Sequence, residues 1–165
     1  MLLGKTAEKL RAVGVQTLGV VATNAERARL YYRFRPPRVE LGADPDLRTH
    51  RAYGLPQSAV TPEILQTIRS KTAGLARERG LEVPESEAKD ALNRLDGFEP
   101  IGSDSAEAER HQLQFVGQFP LDREGIVRWA NVECAREGPG GLDKFPTDEE
   151  LLAVARTIPA LKTPA

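Results

Sequence analysis

The chain has 165 residues, 40% of them apolar and 28% charged, with a formal net charge of −1. That balance excludes a disordered polymer and a basic nucleic-acid surface, and it suits one domain with a single ordinary core. No apolar run reaches the length of a membrane span and Met1-Leu2-Leu3 is too short an apolar start for a signal peptide, so a soluble, cytoplasmic protein is expected.

Lys5 to Val13 places Ala7, Leu10 and Val13 at helical spacing, with Gly14 as the stop. Val15 to Ala22 is nearly all apolar and partly β-branched, which predicts a strand covered on both faces. Thr23-Asn24-Ala25-Glu26 has the form of a capping box and opens a helix through Leu30, Tyr31 and Phe34 that Pro36-Pro37 must end. Arg38 to Leu41 reads as a short strand. Asp44-Pro45 then opens a helix with an acid at the N-cap and proline at the first helical position, running through His50 and Tyr53 to Gly54.

From Pro56 to Leu113 the pattern is helical. One helix starts at Pro62, carries Ile64, Leu65, Ile68 and Leu75, and gives way to Gly80; a second, around Glu85 to Leu95, puts Ala88, Ala91, Leu92 and Leu95 on one face and ends at Gly97. Asp104 to Arg110 is polar and reads as a surface helix or loop. Phe115 to Val132 is a β-hairpin pattern, two apolar runs around Asp122-Arg123-Glu124-Gly125, and it is expected to bury Phe119, Leu121, Ile126, Val127, Trp129 and Val132. Gly138-Pro139-Gly140-Gly141 lacks the spacing of a phosphate-binding loop and reads as a turn. Thr147 to Glu150 is another capping box, opening a last helix through Leu151, Leu152, Val154, Ala155 and Ile158 that Pro159 stops.

Taken together, these pieces resemble the peroxiredoxin, or alkyl hydroperoxide reductase and thiol-specific antioxidant, family. The residues that carry the resemblance are Gly117, Phe119, Pro120-Leu121, Asp122, Gly125, Ile126-Val127 and Arg128 in the hairpin. Gly14-Val15, Leu18-Gly19-Val20, Asp44-Pro45 and Ala52-Tyr53-Gly54 carry it before the helical stretch, so it covers about residues 5–55 and 115–158. It implies an α/β, thioredoxin-like three-layer fold in one domain over residues 1–165, with 56–113 as a helical insertion before the C-terminal hairpin. It also implies thiol-dependent redox chemistry with a thiol reductant as partner and neither cofactor nor metal.

The family attacks peroxide with a cysteine thiolate at the start of the helix that precedes the strand matching Val15. No cysteine precedes Val15, and Val116 stands where many members have a thiolate-stabilising arginine. The resemblance therefore implies a chain lacking its N-terminal, cysteine-bearing part and inactive as a peroxidase. It further implies that the strand between the Val15 strand and the hairpin is missing, its place left to an upstream segment, a rearrangement or a partner strand. A reading from another class is a non-catalytic binding or assembly module, in which the inserted helices contact a protein partner; a homo-oligomer fits either reading.

Cys134 is the sole cysteine, which excludes an intramolecular disulfide. It is a candidate redox thiol, with Arg136 favouring the thiolate and Glu133 opposing it, or else a small, half-buried residue at a strand end. His50 and His111 lack metal-ligand spacing and are expected at the surface or in caps. Arg27, Arg29, Arg33, Arg35 and Arg38 read as a solvated helix face, and Asp143, Asp148, Glu149 and Glu150 as helix N-terminus stabilisers.

Overall fold

A computed structural model describes residues 2–101, 106 and 109–158. In chain order its elements are α1 (Leu2–Ala12), β1 (Leu18–Val21), α2 (Ala25–Phe34), β2 (Glu40–Ala43), α3 (Arg48–Ala52), β3 (Gln57–Ser58), α4 (Pro62–Glu78), α5 (Ala88–Asp96), β4 (Leu113–Gln114), β5 (Gly117–Gln118), β6 (Asn131–Val132) and α6 (Asp148–Thr157). Short 3-10 turns occupy Glu85–Glu87 and Gly138–Gly141. The class is α/β. Most of the polar stretch 104–110 and Pro159 lie outside the described residues.

Among the described residues the strands form three separate pairs: β1 with β2 in parallel, β3 with β4 and β5 with β6 antiparallel. The β3–β4 pair sets Gln57 against Gln114 and Ser58 against Leu113. The helical stretch between them thus leaves and rejoins the chain at one place.

Local chemistry explains most helix ends. Thr61 Oγ1 accepts from the backbone N–H of Ile64, Pro62 takes the first turn of α4 where its missing N–H costs nothing, and Gly97 closes α5 at φ 70°. Thr147 and Glu150 form the expected capping box of α6. Two expectations are corrected. The cap of α2 is Asn24 and not Thr23, its Oδ1 accepting from the N–H of Arg27 at 2.8 Å. The helix after Asp44-Pro45 starts later, at Arg48, because Leu47 turns left-handed at φ 57° and Asp44 reaches across that turn to cap it.

The compact core lies between α4 and α5. Ala73, Ala76, Ala88 and Leu92 are buried there, with Leu81 and Val83 packed against them. Alanines at these contacts let the helix backbones approach closely, so little apolar volume is needed to exclude water. A second lock joins α1 to α6: Asp148 accepts from Thr6 at 2.6 Å and pairs with Lys9.

The hairpin forms as its turn chemistry dictates. β5 pairs Gly117 with Val132, a bridge joins Leu121 to Val127, and Gly125 adopts φ 79° at the turn. Asp122 braces the turn, its Oδ1 accepting from the N–H groups of Glu124 and Ile126 at 2.9 Å each. Gly117 is required by packing: a Cβ there would collide with the ring of Phe119, which lies 4.8 Å from the ring of Tyr53. The expected burial is corrected, however. Leu121, Ile126 and Val127 are exposed, because no described layer covers that end of the hairpin. The expected two-sided cover of the Val15–Ala22 strand is corrected as well: β1 is shorter, and Leu18 is 63% exposed.

Candidate functional site

Two clusters hold the residues with potential chemistry. The first surrounds Cys134, just after β6. Its backbone is left-handed at φ 61°, and the chain folds so tightly against the Gly138–Gly141 turn that a Cβ on Gly141 would come within 3.1 Å of the Cys134 Cα. The neighbouring Glu133 is buried and works as a staple. Its N–H donates to the Val116 carbonyl at 2.9 Å, while its carboxylate accepts from the N–H groups of Val116 and Asp143.

That architecture sets the reactivity of the thiol. Burial pushes the Cys134 thiol above its ordinary value, and the negative charges of Glu133 and Glu137 push it further. Arg136, the proposed thiolate stabiliser, is exposed. A thiol held up in this way stays protonated at neutral pH and is a poor nucleophile.

The second cluster was not foreseen. Both histidines are buried, against the expectation of surface or capping positions, and both close on the Asp44-Pro45 segment after β2. His50 Nδ1 lies 3.1 Å from Asp44 Oδ2, and His111 Nε2 lies 3.0 Å from the Pro45 carbonyl. Asp44 also accepts from the backbone N–H groups of Arg48, Thr49 and His50. Burial alone would raise its carboxyl, but the bonds from His50 and from these backbone groups outweigh burial and hold it at about 2. A carboxylate whose capacity is filled in this way is a structural anchor. No Cys, His, Asp or Glu cluster among the described residues could hold a metal ion.

The arginine run divides. Arg27 is buried with its guanidinium 5.1 Å from the Phe98 ring centre, and Arg35 pairs with Asp96 while donating to Tyr31 and Asn93. These two tie α2 to the end of α5, correcting the view of a uniformly solvated face. Arg29 and Arg33 are exposed, as expected. Of the acids, Asp143 pairs with Lys71 and Asp148 joins helices. The signal that could have found the histidine cluster is the Asp44–His50 spacing of six residues, an acid before a short turn and a histidine in the helix that it caps.

No described helix is long and apolar enough to cross a membrane. Comparison with protein-family models, with curated proteins and with solved structures found no match. The resemblance to peroxiredoxins therefore rests on the residues quoted for it.

Proposed function

We propose that this chain is a peroxiredoxin-like protein on a thioredoxin-like scaffold that works as a binding or assembly module and not as a thiol peroxidase. The observation that carries the reading is the state of β1: its apolar strand is paired on one side, by β2, and among the described residues no strand pairs with its other side. An apolar edge of this kind is a template for another strand. The order of a helix, a parallel strand pair, a capped segment at Asp44 and a late hairpin supports the scaffold. The environment of Cys134, with its thiol pushed up by burial and two glutamates, supports the absence of peroxidase chemistry in this module.

Peroxide chemistry at Cys134 would require the thiolate to attack the O–O bond, leaving a sulfenic acid on sulfur and releasing water or alcohol. Treating the purified chain with hydrogen peroxide and dimedone, then reading the mass, tests this. The expected result is an unmodified chain under mild conditions. A rapid, stoichiometric dimedone adduct on Cys134 would overturn the reading in favour of a redox protein.

A further inference from the structure

We draw no further inference here: the strongest candidate, the unpaired side of β1 with Leu18 exposed at its start, carries nothing, because among the described residues nothing shows what covers it and an uncharged edge suits an upstream strand and a partner strand equally well.

Discussion

The helices between Pro62 and Asp96 and the strand pairs around them come from one chain but differ in whether they build a buried core of their own. The helices turn alanines and Leu92 inward on one another, with Leu65, Leu75 and Leu95 left outside, carry a Thr61 cap at the start of α4 and Gly97 at the end of α5, and tie back to α2 through Arg35 and Asp96. β1 and the hairpin leave Leu18, Leu121, Ile126 and Val127 in contact with water. A helix pair satisfies its backbone internally and needs one partner face. A two-stranded sheet has two faces and two edges, and one neighbour cannot cover them all. The stability of this chain should therefore be concentrated in the helices and its capacity for association in the strands.

The largest test of that contrast is Leu92→Ala. Removing a buried side chain from the α4–α5 contact should cost about 3 kcal/mol, read as a lower urea midpoint. A loss below about 1 kcal/mol would show that the helix pair does not dominate stability. A smaller effect is expected at the junction between the two regions. Asp44→Asn keeps the shape of the cap but weakens its bonds to His50 and the backbone, for about 1–2 kcal/mol at neutral pH. The folded carboxyl sits at about 2, below its ordinary 3.8, so the charged form is the stabilising one. The advantage of wild type over the variant should be full above about pH 4 and vanish as pH falls to about 2, in paired melts across that range. An advantage that grew on acidification would contradict the geometry. The smallest effect belongs to the hairpin: Ile126→Thr, at an exposed position, should change stability by less than about 0.5 kcal/mol. A large loss would mean that the hairpin is covered in solution.

What was legible in the sequence was local. Pro62, Gly97, the Thr147–Glu150 box and Gly125 announce helix ends and a turn, because each acts through hydrogen bonds or φ angles within a few residues. The alternation between Thr23 and Asn24 as the cap of α2 was missed because both residues suit the role and only the dihedral path decides. Burial was less legible. Ile126 and Val127 look like core residues, but whether a layer covers them depends on distant chain. The site was the least legible. The setting of Cys134 comes from a turn seven residues away at Gly141, and the burial of His111 comes from a carbonyl at Pro45, neither of which leaves a spacing signal.

The β3–β4 pair has a mechanical consequence. Because Gln57 stands beside Gln114, tension running along the backbone to these two residues, once the α1–α6 lock has given way, crosses that clasp and does not travel through the backbone between them. The helices would be stretched along their own backbone only after the clasp unzips; until then they feel the pull only through side-chain ties such as Arg35–Asp96 and Lys71–Asp143.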